Sequence, residues 1–248
     1  CEFCGLAVPL SEERCPHCSK PGWYPNVRAA EQPEERAALA SRYGEAVAAA
    51  EERGCGGVVR AFESAVGASR AVLARSLVDV LYLLEPNRLL PTYYQKLDGG
   101  IQIPSTDGWH ERRGMADERL FGEGRKSVHF AALSLEDSGL PSYGECSLVL
   151  RERMIEHRAS VFEGNSTLFL ESASFQLPAG HRAVWPDRQK LCIAKLAKEL
   201  QPDFSGSDFQ AILLRGGPSS ADDEFVEVHV WGSISPFAVE KALLFRRR

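Results

Sequence analysis

Apolar residues recur along the first third of the chain with the period of a helix. Pro33 suits a first helical position, and Glu34 and Glu35 suit the first turn, where the amide dipoles favour anions. Leu39, Tyr43, Ala46, Val47 and Ala50 then fall on one helical face, and Gly54 is a natural stop. Val58, Val59, Phe62, Ala65 and Val66 form a second stripe. Leu73, Leu77, Val80, Leu81 and Leu84 form a third, ended by Pro86. The pattern predicts two or three packed helices over 28–86, a connector lying on the next domain or an arm for a partner or a second copy.

From about Leu90 the composition shifts toward glycine, serine, aromatic and β-branched residues. Strands are predicted at 126–133, 145–150, 167–170, 209–214 and 225–231. One helix is predicted at 186–200, opened by Pro186 and Asp187, with Ile193, Leu196, Ala197 and Leu200 as its buried stripe. Strands without regular βαβ alternation predict an α+β domain over 88–248 with a mixed or antiparallel sheet. The polar stretch from Trp109 to Lys126 reads as a loop, either closing over an anionic ligand or simply lying on the surface.

Four cysteines alter this picture at the start of the chain. Cys1, Cys4, Cys15 and Cys18 form two C-x-x-C pairs, and two such knuckles close a tetrahedral sulfur cage of the kind that holds structural Zn2+. A zinc ribbon over 1–24 is expected; two disulfides would use the same four residues. Cys55, Cys146 and Cys192 are isolated, and free thiols beside a zinc cage fit a reducing, cytoplasmic setting.

The 248 residues suffice for a sizeable core. A formal net charge of −5 argues against a generally basic nucleic-acid binder. No apolar run approaches membrane-spanning length, so no membrane partner is expected. No signal peptide is visible, although the abrupt start at Cys1 leaves room for upstream residues. The sequence has no Walker loop, G-x-G-x-x-G, G-x-S-x-G or H-E-x-x-H motif.

Strand alternation supplies subtler candidates. In FVEVHVW, Val226, Val228 and Val230 share one face, which suits a core. Phe225, Glu227, His229 and Trp231 share the other, where a carboxylate and an imidazole sit between aromatics, either in a cleft or in a cross-strand salt bridge. In KSVHFAAL, Val128, Phe130 and Ala132 oppose Ser127, His129 and Ala131, which makes His129 a ligand donor or a histidine bonded within the fold.

The order of these segments resembles the ADP-ribosyltransferase fold, especially its DarT-type, toxin-like members, over roughly 88–245. TYYQKLDGGIQIP at 92–104 resembles the early helix and strand entry, and VHFAALS at 128–134 the central strand. YGECSLVLRE and RASVFEGNS resemble the next strands, and DDEFVEVHVWGSISPFAVEK at 222–241 the terminal strand with the catalytic glutamate. The resemblance implies that Glu227 is catalytic, with His129 on the nicotinamide side, and that Tyr93, Tyr94 and Arg112 or Arg113 contact NAD. It further implies transfer of ADP-ribose from NAD to a macromolecule, with DNA and RNA among the targets, as in a bacterial toxin or phage-defence effector. The chain has no serine-threonine-serine strand motif, and Phe225 stands two before Glu227, which argues against arginine modification of proteins. The alternative is a non-catalytic adaptor whose zinc ribbon or helical arm binds protein or nucleic acid.

Overall fold

The computed structural model describes residues 4, 6, 12, 14–20, 24–104 and 108–244. Three helices open it: α1 (Pro25–Ala30), α2 (Pro33–Glu52) and α3 (Gly56–Gly67). Then come β1 (Arg70–Arg75), α4 (Leu77–Leu84), α5 (Tyr93–Asp98), α6 (Trp109–Phe121), β2 (Val128–Ser134) and β3 (Cys146–Leu150). The chain continues through α7 (Glu152–Ile155), β4 (Ala159–Phe162), α8 (Ser166–Ser172), β5 (Arg182–Val184), α9 (Arg188–Leu196) and α10 (Gly206–Leu213). It closes with β6 (Leu214–Arg215), β7 (Glu224–Phe225), β8 (Glu227–Trp231) and β9 (Val239–Leu244).

The architecture is mixed α+β. Seven strands form one sheet in the order β5-β4-β8-β2-β1-β3-β9, and every neighbouring pair is antiparallel. One sheet face carries Leu73, Leu133, Leu148, Val161 and the three valines Val226, Val228 and Val230, buried together with residues of α2, α3, α9 and α10. Full burial of each valine contributes roughly 1.5–3 kcal/mol, so this face anchors the sheet to the helices. On the other face, α6 and α8 bury Ala116, Leu120 and Leu170 against Phe162 and Trp231.

Helices α2, α3 and α9 and strands β2, β3 and β8 lie where periodicity predicts them. Four expectations are corrected. The third stripe is not one helix: Leu73 lies in β1, between β2 and β3 inside the sheet. RAVLAR is buried on both faces, so it shows no alternation that would mark it as a strand. Residues 28–86 therefore do more than connect, since they contribute an interior strand. In α4, Leu77, Leu81 and Leu84 face outward with Val78, while Asp79, Val80 and Leu83 turn in. The strands expected at 167–170 and 209–214 are the helices α8 and α10. Asn165 caps α8 by accepting the N–H groups of Thr167 and Leu168, and Ser205 and Asp208 form a capping box on α10. Short apolar runs fit either period, and the caps decide between them. The expected loop at 109–126 is mostly α6, followed by a 3-10 turn.

Candidate active site and metal centre

A cavity of about 400 Å³ opens on the sheet face opposite the main core. Its floor is made by Val72 and Ala74 of β1 and by Val128, Phe130 and Ala132 of β2. Its walls come from α5, α6, the 140–143 segment and the start of α8. Cross-strand register explains why Glu227 joins this floor. Ala132 pairs with Glu227 and Phe130 with His229, and directly opposed residues share a face.

Glu227 is 7% exposed and lines the cavity. Its Oε2 accepts the backbone N–H of Ser166 at 3.1 Å and the Nε2–H of His229 at 2.9 Å. Phe121, Phe130 and Phe162 pack around the His229 ring, with centroids at 4.9, 5.3 and 5.9 Å.

A second polar cluster comes from α5 and α6. Arg113 and Asp117 are one helical turn apart, and Arg113 Nε donates to Asp117 Oδ2 at 3.3 Å. The Tyr94 hydroxyl donates to the same oxygen at 2.8 Å. The Arg113 guanidinium lies 4.1 Å from the Tyr93 ring centroid and 4.7 Å from that of Phe130, a cation held between two π faces. Burial pushes the Asp117 carboxyl up; Arg113 and Tyr94 oppose the shift, and the charge of Glu227 adds to it. Burial likewise raises the Tyr143 phenol, with Glu227 and Asp223 adding to it, so that this cavity hydroxyl stays neutral. Across the cavity, Lys96 pairs with Asp79 at 2.5 Å. Beside them burial pulls the Arg75 guanidinium down to about 10, against the attraction of Asp79. Among the described residues, the one hydrogen bond made by the Arg75 side chain goes to the Ala74 carbonyl.

Of the residues singled out in the sequence, Glu227, Tyr93 and Arg113 meet at this cavity. Tyr94 supports it from behind through Asp117. Arg112 turns away, toward Glu171 at 3.6 Å and the Trp109 ring. His129 is not brought to Glu227. It pairs with Val230 on the opposite sheet face, where it is 2% exposed and its Nδ1 has no partner. Burial, aided by Arg75 and Arg158, holds this imidazole well below its ordinary range. Asp117, Arg75 and Tyr143 escaped the sequence reading. The i,i+4 spacing of Arg113 and Asp117 would have exposed the first, once 109–121 was read as a helix.

Near the N-terminus, the thiols of Cys4, Cys15 and Cys18 converge within 4.8 Å of one another, with Cys4 and Cys15 Sγ 3.5 Å apart. Tetrahedral zinc with sulfur ligands needs edges of roughly 3.8 Å, so the spacing fits a metal ion. The knuckle closes locally: Ser19 N–H donates to Cys15 O at 2.8 Å, and Cys15 N–H to Lys20 O at 2.9 Å. Burial raises the Cys15 thiol, but the backbone N–H groups of His17 and Cys18 and the thiols of Cys4 and Cys18 outweigh it, bringing it down to about 7. A thiol this acidic suits metal ligation. The expected fourth ligand, Cys1, lies outside the described residues.

The sequence matches no family model, and no curated protein matches it. Among the described residues, no helix is long and apolar enough to cross a membrane.

Proposed function

We propose that the protein transfers ADP-ribose from NAD to a macromolecular acceptor, with Glu227 as the catalytic carboxylate. The observation that carries this reading is the placement of Glu227. Its Oε2 is tethered by two donors, while its Oε1 has no protein partner among the described residues of the cavity wall. In the proposed reaction the bond between the nicotinamide nitrogen and ribose C1′ breaks, and its electron pair leaves with nicotinamide. Positive charge develops on the ribose. A fixed carboxylate stabilises that charge more than the ground state, which lowers the barrier. The acceptor then bonds to C1′ and gives its proton to the same carboxylate. Tyr93 and Tyr143 offer flat walls for an aromatic ring, and Arg75 and Arg113 offer cations for the pyrophosphate.

Nicotinamide release by wild-type protein and by Glu227→Gln tests the reading. Loss of about 10²–10³-fold in turnover is expected with the fold unchanged, the scale of removing one charge-stabilising group. Wild-type protein that releases no nicotinamide and gains no thermal stability from ADP-ribose would refute it.

The cysteine cluster lies apart from this chemistry. We infer that Cys1 joins Cys4, Cys15 and Cys18 to bind one structural zinc. A second reading, a zinc-ribbon adaptor binding a protein partner, draws support from the outward apolar face of α4, where Val78 is 72% exposed. Salt-insensitive partner binding without any response to NAD would favour it.

A further inference from the structure

We propose that His229 is a positioning residue that sets which oxygen of Glu227 meets the ligand. The inference rests on Glu227 being the functional carboxylate. Glu227 and His229 are two residues apart on one strand, so they share a face with backbones separated by about 7 Å. The two side chains close that gap, bringing Glu227 Oε2 to 2.9 Å from His229 Nε2. The Ser166 N–H, from the start of α8, bonds the same oxygen. Both donors fall on Oε2, so Oε1 is the oxygen left for a ligand hydroxyl or a developing cation.

The imidazole is itself held. Phe121 from α6, Phe130 from β2 and Phe162 from β4 pack against the ring from three elements. Its backbone is pinned too. Asn26 of α1 donates Nδ2–H to the His229 carbonyl at 3.0 Å and contacts the Arg158 carbonyl and Ser160 Oγ, joining β4 to β8. An apolar box could have held a fourth phenylalanine. An imidazole there adds one thing, an N–H directed at Glu227. With that donor removed, the carboxylate keeps only the Ser166 bond and gains rotamers, and misplacement of a reacting group by 1 Å costs about 10²-fold in rate.

Two variants separate positioning from packing. His229→Phe fills the box without a donor; His229→Gln places an amide N–H within reach of Glu227. Expected for His229→Phe is a fall in kcat for nicotinamide release of about 10–100-fold with KM for NAD changed little. His229→Gln should recover most of it. Equal losses in both variants, or wild-type kcat in His229→Phe, would overturn the proposal. A second readout does not need turnover. In 1H–15N spectra of the imidazoles, the wild-type protein should show a protected His229 Nε2–H signal that is lost in Glu227→Leu. That signal in a protein that releases no nicotinamide sinks the transferase reading and leaves the tether standing. Turnover without the signal sinks the tether alone.

Discussion

Replacing His129 with leucine should make the protein more resistant to acid. In the folded chain this imidazole is buried beside Val230, faces the charges of Arg75 and Arg158, and has an Nδ1 without a partner. Burial most of all, and then the two guanidinium charges, disfavour the protonated ring and hold it well below the ordinary 6.5. In the unfolded chain the same ring takes up a proton as pH falls through about 6.5. Below that point the unfolded state binds more protons than the folded state, so stability falls with pH. The penalty is absent above 6.5, grows below it, and stops growing once the folded-state value is passed. Within that window each pH unit costs at most about 1.4 kcal/mol, so the wild-type penalty deepens steadily as the pH is lowered. Leucine lacks this penalty and leaves no unpartnered ring nitrogen behind. Near pH 8 the difference between the two proteins should no longer depend on pH, because the imidazole is neutral in both the folded and the unfolded chain. Urea unfolding followed by tryptophan fluorescence from pH 5 to 8 measures the difference. A gap between the two proteins that stays constant across this range would refute the reasoning. Stabilisation by ADP-ribose should survive the change, since His129 lies on the sheet face away from the cavity; its loss would refute that placement.

Two further outcomes are expected. Purified protein should carry one zinc ion per chain by elemental analysis, and Cys15→Ser, which removes the buried thiol of the cluster, should lose it; full retention of zinc would exclude Cys15 as a ligand. Gly144→Ala should destabilise the fold by about 1–3 kcal/mol through overpacking. Its φ is +150°, and an added Cβ would lie 2.3 Å from the Arg75 carbonyl carbon at the end of β1. Because Arg75 lines the cavity, ligand affinity should fall with stability; unchanged thermal unfolding would show that the close approach is relieved cheaply.

Much of the local structure was legible in the residues alone. Pro33, the Leu39–Ala50 stripe and Gly54 mark α2, and the alternation of Val226, Val228 and Val230 against Glu227 and His229 marks β8 and both its faces. The cysteine spacing by itself marks the knuckle. Each of these signals is carried by residues close together in the chain, where period and spacing act directly. What only the tertiary structure decided is which surfaces meet. RAVLAR becomes an interior strand because β2 and β3 flank it, and FQAIL becomes a helix because the caps of α10 and its packing prefer that period. His129 and Glu227 fall on opposite faces because antiparallel register pairs His129 with Val230 and Glu227 with Ala132, and register is a relation between distant segments. Asp117 and Ser166 reach the cavity from α6 and α8, which are remote in sequence from β8. A carboxylate's neighbours are set by burial and long-range pairing, and neither is encoded in the spacing of residues around it.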